Sequence, residues 1–127
     1  MSIKVENITK AYGNQLALKN VSFDIKKPEI VGFLGQNGAG KSTMMKILTT
    51  YLPATEGNAF VNNFNVSSEK NKVQQSVGYL PEHNPLYLDL YVKEYLKFNA
   101  DVYGIETSKI KSVIELTGLS EESNKKI

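Results

Sequence analysis

The sequence predicts an α/β fold: a parallel-sheet core, an antiparallel β-subdomain wrapped onto it, and the start of a helical subdomain behind. Three patterns lead there. The first 25 residues alternate apolar and polar side chains. A short continuous apolar run, EIVGFLG at 29–35, is followed at once by a helical pattern. Beyond Pro81 only amphipathic helices remain. The expected division is therefore a β-subdomain and core over about 1–80 and the beginning of a helical subdomain over about 81–127.

In SIKVENITKAY, Ile3, Val5 and Ile8 are assigned to one face of a strand, and VSFDI groups Val21, Phe23 and Ile25. GNQ at 13–15 is the turn between them. EIVGFLG has the unbroken apolar character of a strand covered on both faces, as in a parallel sheet. KSTMMKILTTY then places Met44, Ile47, Leu48 and Tyr51 at helical spacing, and Pro53 is the expected stop. GNAFVNN reads as another strand closed by Asn62 and Asn63, which tolerate left-handed turn geometry. SSEKNKVQQ suits a short helix capped by Ser67 or Ser68, and VGYL at 77–80 a second buried strand. YVKEYLKFNADVYG and SKIKSVIELTG are amphipathic helices closed by Gly104 and Gly118. The last residues, SEESNKKI, are expected to be a solvated or frayed end.

Composition narrows the function. The protein has 127 residues, 41% of them hydrophobic, enough for one domain with a real core. No apolar run approaches the about 20 residues that span a bilayer, and MSIKVENITK has no apolar signal region. The absence of cysteine excludes disulfides and thiolate metal sites and fits a reducing compartment. All 15 basic residues are lysines, interleaved with 13 acidic ones for a net charge of +2. That is not the one-sided cationic face of a nucleic-acid binder, so no nucleic-acid partner is expected.

The chemistry concentrates in GQNGAGKST, residues 35–43. Gly35-x-x-x-x-Gly40-Lys41-Ser42 fits a phosphate-binding loop, and it sits between an expected strand and an expected helix. Glycines let successive backbone N–H groups turn inward as an anion nest. The helix starting near Lys41 adds its positive dipole end. Lys41 would reach the β- and γ-phosphates, Ser42 would hold Mg²⁺ through its hydroxyl, and Thr43 is the next donor. A GTPase would need a guanine-reading Asn-Lys-x-Asp, and NKKI lacks the aspartate. Nucleotide kinases rely on arginines that are absent here.

The stretch GQNGAGKSTMMKILTTYLPATEG resembles the Walker A segment of ABC transporter ATP-binding subunits, where Gly-x-Asn-Gly-Ala-Gly-Lys-Ser-Thr is typical. ITKAYGNQLALKNVSFDI resembles the first antiparallel hairpin of that family. VGYLPEHNPLYLDLYVKEYL resembles its prokaryotic export subgroup linked to gliding motility and to drug or polysaccharide export. The resemblance implies a P-loop NTPase (RecA-like) core with ATP and Mg²⁺ as ligands. It also implies phosphate contacts from Gly35, Gln36, Asn37, Gly38, Ala39, Gly40, Lys41, Ser42 and Thr43, with Lys41 in the catalytic role. Tyr12 falls at the position that stacks on adenine, and Glu82 at the Q-loop position, a second Mg²⁺ ligand beside Ser42. A transmembrane subunit would dock near Glu82 to Tyr91, and a second ATP-binding subunit would complete the site at the cytoplasmic face of the membrane.

Several positions depart from that pattern. Gln36 replaces a common proline, Pro28 stands where glycine is usual, and Glu82 replaces a glutamine, adding a negative charge beside the γ-phosphate. The 127 residues contain no LSGGQ-type signature, no Walker B strand ending in Asp-Glu and no switch histidine. LYLDL imitates Walker B, but no glutamate follows Asp89. These residues are thus expected to be the N-terminal part of an ABC ATPase that binds nucleotide without hydrolysing it alone. The alternative is a non-hydrolysing remnant that binds nucleotide or a partner. Three bland readings stand beside the functional ones. Tyr12 has the bland reading of a strand-end aromatic on its hairpin, against which adenine stacking is favoured, and His83 reads as a turn residue. Tyr87, Leu88, Tyr91, Val92 and Tyr95 recur at helical spacing, whose default is core.

Overall fold

The computed structural model describes residues 2–127. It divides into one unit that ends at Tyr79 and a second over Leu80–Ile127.

In the first unit, β1 (Ile3–Tyr12), β2 (Gln15–Ile25), β3 (Glu56–Val61) and β4 (Phe64–Asn65) form one antiparallel sheet in the order β2-β1-β3-β4. Tyr12 already pairs with Gln15, so the turn is Gly13-Asn14 alone, with Gly13 left-handed at φ 56°. Strict alternation would set Val5 and Ile8 on opposite faces, yet both are buried. The reason is a bulge. Asn7 takes φ 54°, and the β1–β2 register shifts between Val5 and Ile8, which turns Ile8 back to the core. Ser22 secures the bulge: the Asn7 N–H donates to Ser22 Oγ at 2.8 Å, and Ser22 Oγ donates to Asn7 Oδ1 at 3.1 Å. The same bulge requires a glycine opposite. A β-carbon on Gly57 would lie 2.6 Å from the Asn7 carbonyl carbon.

One face of this sheet is covered by α1 (Lys41–Leu48) and α2 (Lys70–Ser76). Met44, Ile47 and Leu48 pack with Val5, Ile8, Leu18, Ala59 and Val61, and Val66 and Val73 extend the cluster. A fully buried residue such as Ile8 or Ile47 contributes about 1.5–3 kcal/mol. Tyr51 does not join them; it is 73% exposed. The helix ends at Leu48, well before Pro53, because Thr50 turns left-handed at φ 65°. The Tyr51 N–H then closes back on the Lys46 carbonyl at 2.8 Å, which points its ring outward. Neither Ser67 nor Ser68 caps α2. Instead Asn65 Oδ1 accepts both of their N–H groups, at 2.8 and 3.1 Å, and the Glu69 carboxylate accepts the Asn65 N–H at 3.0 Å. Asn62 and Asn63 do take left-handed φ, 51° and 65°, in the β3–β4 turn.

The strands expected at EIVGFLG and VGYL are absent among the described residues. Positions 29–35 and 77–80 carry no strand, and Ile30, Leu34 and Leu80 are largely exposed. An apolar run becomes a buried strand where ladder neighbours and cover on both faces await it, as in a parallel sheet. The sheet among the described residues is built of antiparallel pairs instead. The protein keeps the α/β class through its β-subdomain and helices.

The second unit holds α3 (Val92–Tyr103) and α4 (Lys109–Leu116). Glu94 accepts the Tyr91 N–H at 3.0 Å at the start of α3, and Gly104 (φ 64°) and Gly118 (φ 72°) close the two helices. The C-terminal residues are not frayed. The Val92 N–H donates to the Lys125 carbonyl at 3.0 Å, the Ile127 N–H to Leu90 at 3.1 Å, and Ser123 is buried. Nor do the aromatics of this unit form a core. Tyr87 meets Tyr95 and Phe98 at ring distances of 6.4 and 5.7 Å, yet Tyr87, Leu88 and Tyr91 stay exposed, and the buried apolar residues are Ala100 and Ile114.

Candidate nucleotide-phosphate site

The loop 35–40 is an exposed segment between two anchors. At its start, Phe33 packs on Phe23 of β2, ring centroids 5.7 Å apart. At its end, Gly40 lies against the backbone of Ala17 and the Leu18 side group in the same strand. Between them, the Ala39 N–H closes a turn onto Gln36 O at 3.1 Å, and Gly38 and Gly40 are left-handed at φ 83° and 85°. Residues with a β-carbon resist that geometry, which explains these two glycines. Gly35 is different. Its φ is not left-handed, and a β-carbon there would make ordinary contacts, 3.5 Å to Ala39 Cβ and 3.7 Å to the Lys41 stem.

Helix α1 begins at Lys41 without a capping hydrogen bond from any side group, and its first internal bond runs from the Met44 N–H to Gly40 O at 2.9 Å. The N–H groups of Lys41, Ser42 and Thr43 are therefore left as donors at the positive end of the helix dipole. Lys41 Nζ donates to the carbonyls of Gly35 at 2.6 Å and Gln36 at 2.7 Å, which holds the ammonium across the loop. Backbone donors, a helix N-terminus and a cation thus lie together within residues 35–43, the set of groups that phosphate-binding loops use. No group of three or more His, Asp or Glu residues suited to a metal exists among the described residues. A magnesium ion still fits. It takes few protein ligands and keeps phosphate oxygens and waters, and the exposed Ser42 hydroxyl in the first turn offers one oxygen of the kind it takes.

Each of the other expected residues lies within its own unit. Tyr12 ends β1, is 47% exposed, and carries Lys10 Nζ over its ring at 5.2 Å. Glu82 and His83 form an exposed bend in the second unit. Sequence reasoning missed Ala17, Leu18 and Phe23, which fix the loop from below. No signal marks them, because Ala17 acts through its backbone and the others look like ordinary strand residues.

Residues 18–127 match the ABC transporter family. The protein is 37% identical to the linearmycin resistance ATP-binding protein LnrL of Bacillus subtilis, over 98% of this chain and 42% of that protein. It is 36% identical to the probable multidrug ABC transporter ATP-binding protein YbhF of Escherichia coli, over 92% of this chain and 21% of that one. It thus spans less than half the length of either relative. Among solved structures, the dimeric bacterial ABC transporter cassette MJ0796 superposes with a TM-score of 0.82 at 27% identity, over 98% of this chain and 61% of that one. The same cassette bound to ADP and Pi superposes with a TM-score of 0.81 at 25% identity, over 98% of this chain and 61% of that one. No helix among the described residues is long and apolar enough to cross a membrane. The loop geometry and these likenesses agree, and the chain belongs to the ABC transporter family, within its ATP-binding domain.

Proposed function

We propose that this protein binds ATP with Mg²⁺ as the nucleotide-binding subunit of an ABC-type exporter at the cytoplasmic face of a membrane. The observation that carries the reading is the convergence at one loop of left-handed Gly38 and Gly40, the uncapped first turn of α1 and the Lys41 ammonium. On this reading, backbone N–H groups of the loop and α1 hold the phosphates, and Lys41 moves from the Gly35 and Gln36 carbonyls to the β- and γ-oxygens. Ser42 holds Mg²⁺, which when bound offsets the charge of the phosphates, and Glu82 is a second ligand. Tyr12 supports the adenine ring by stacking.

Export draws support from the relatives, one named for linearmycin resistance and another for multidrug transport. Their names lend none to gliding motility. A transmembrane subunit would dock on residues 82–91, where Tyr87 and Leu88 are exposed, and a second ATP-binding subunit would face the loop. A non-hydrolysing nucleotide binder is the second reading. Titration calorimetry of MgATP into the protein and its Lys41→Ala variant tests the binding that both readings share. Equal affinity in the two would remove the loop as the site.

A further inference from the structure

We infer that Asn37 is a site of spontaneous deamidation through a succinimide, and that the reaction disables the phosphate loop unless a polyphosphate occupies it. The protection rests on the nucleotide-binding reading above; the modification itself does not.

Asn37 is the one asparagine of the sequence followed by glycine. Ring closure needs the backbone nitrogen of the next residue to reach Cγ of the asparagine, and a β-carbon on that next residue obstructs the approach. Gly38 has none, and a β-carbon built there would meet nothing within 4 Å, so the surroundings are open as well. Asn37 is exposed, and its carboxamide makes no hydrogen bond among the described residues, so it is free to rotate toward that nitrogen. Three other asparagines are tied down. Asn7 Oδ1 accepts from Ser22, Asn62 Oδ1 accepts from Ser2, and Asn65 Oδ1 accepts from Ser67 and Ser68.

The loop's electrostatics favour the reaction too. The nucleophile is the deprotonated Gly38 nitrogen, and the tetrahedral intermediate is an oxyanion. Both develop negative charge beside the N-terminus of α1 and the Lys41 ammonium, which stabilise anions. The nest that suits phosphate therefore also lowers the barrier to its own modification.

The steps balance without an oxidant or reductant. The Gly38 N–H gives its proton to solvent, and the nitrogen bonds to Asn37 Cγ. The bond from Cγ to the amide nitrogen Nδ2 breaks, and ammonia leaves carrying a proton from solvent. Water then opens the imide at either carbonyl, giving aspartate or isoaspartate. The isoaspartate product adds a methylene to the backbone between positions 37 and 38 and displaces the donors beyond it. Either product sets a carboxylate in a loop built for anions.

The test incubates the whole protein at mildly alkaline pH and quantifies isoaspartate at each asparagine by peptide mass spectrometry and isoaspartyl methyltransferase labelling. Asn14 is the internal reference: exposed, in a tight turn, but followed by Gln15. Conversion at Asn37 should run at least about fivefold faster than at Asn14, the factor a helix N-terminus alone gives a developing anion. The Asn37→Gln variant should lose the signal at that position. Conversion no faster than at Asn14, or a loop signal that persists in Asn37→Gln, overturns the proposal. MgATP in the incubation should slow conversion. Conversion at the expected rate that MgATP leaves unchanged supports the modification and counts against the nucleotide reading.

Discussion

A β-carbon on Gly40 would overlap the carbonyl oxygen of Ala17, so the last glycine of the phosphate loop is seated directly on the β2 backbone. The shape of the loop is therefore imposed by the antiparallel sheet beneath it. That makes the three loop glycines unequal, although the motif treats them alike.

Alanine at each should separate them. Gly40→Ala meets a left-handed φ of 85° and hard contact, including Leu18 Cδ2 at 2.6 Å. It should cost about 3 kcal/mol or more. Gly38→Ala keeps open space and is opposed only by its backbone conformation, about 1–2 kcal/mol. Gly35→Ala should fall within about 0.5 kcal/mol of the parent. Urea unfolding of the three ranks them, and a Gly35→Ala as damaging as Gly40→Ala would remove the steric account.

Lys41→Ala should leave the fold intact, since its ammonium serves two exposed carbonyls of the loop. MgATP affinity should fall by about 1.5–3 kcal/mol, the range of a hydrogen bond to a charged group, or roughly 12- to 150-fold. Calorimetry measures the affinity, and a thermal melt checks the fold.

Tyr12 distinguishes stacking from hairpin packing. Tyr12→Phe keeps the ring and should bind nucleotide nearly as well, whereas Tyr12→Ala should lose about 1–2 kcal/mol of affinity. ATP and GTP should compete at similar strength, because a ring face does not read base edges. A strong preference for either nucleotide would show that something else recognises the base.

Glu69 links acid stability to the start of α2. Its carboxyl is held below the usual glutamate range, first by the Asn65 N–H and then by the Lys72 ammonium. A depressed folded-state value means the contribution is present above the ordinary glutamate range. It is lost as pH falls through that range and below it. Glu69→Gln should flatten this part of the acid limb. Urea midpoints followed from neutral to acid pH would reveal it, and an unchanged slope would mean that Glu69 contributes nothing there.

These 127 residues alone should show no steady ATP turnover above background, since they contain neither a signature motif nor a Walker B glutamate to activate water. A coupled phosphate-release assay decides it. Turnover that scales with protein and vanishes in Lys41→Ala would mean that other groups do that work.

The phosphate loop was legible because its chemistry is local. Glycine spacing, the lysine and the following helix are all set by neighbours in sequence, and the structure starts α1 at Lys41 as the pattern requires. The hairpin of β1 and β2, the Asn62-Asn63 turn and the closing glycines of α3 and α4 were legible for the same reason. What escaped depends on contacts between distant residues. The apolar content of EIVGFLG says that the segment can be buried, but a ladder partner decides whether it is a strand, and 29–35 has none here. Tyr51 has the right spacing for a core face, yet a left-handed Thr50 turns it to solvent. Ile8 is buried only because the Asn7 bulge, held by Ser22 and faced by Gly57, shifts the strand by one residue. Sequence alone determined which groups are offered to a phosphate. The tertiary structure decided how they are held, because the surface that fixes Gly40 is the backbone of Ala17, and a backbone leaves no mark in residue identity.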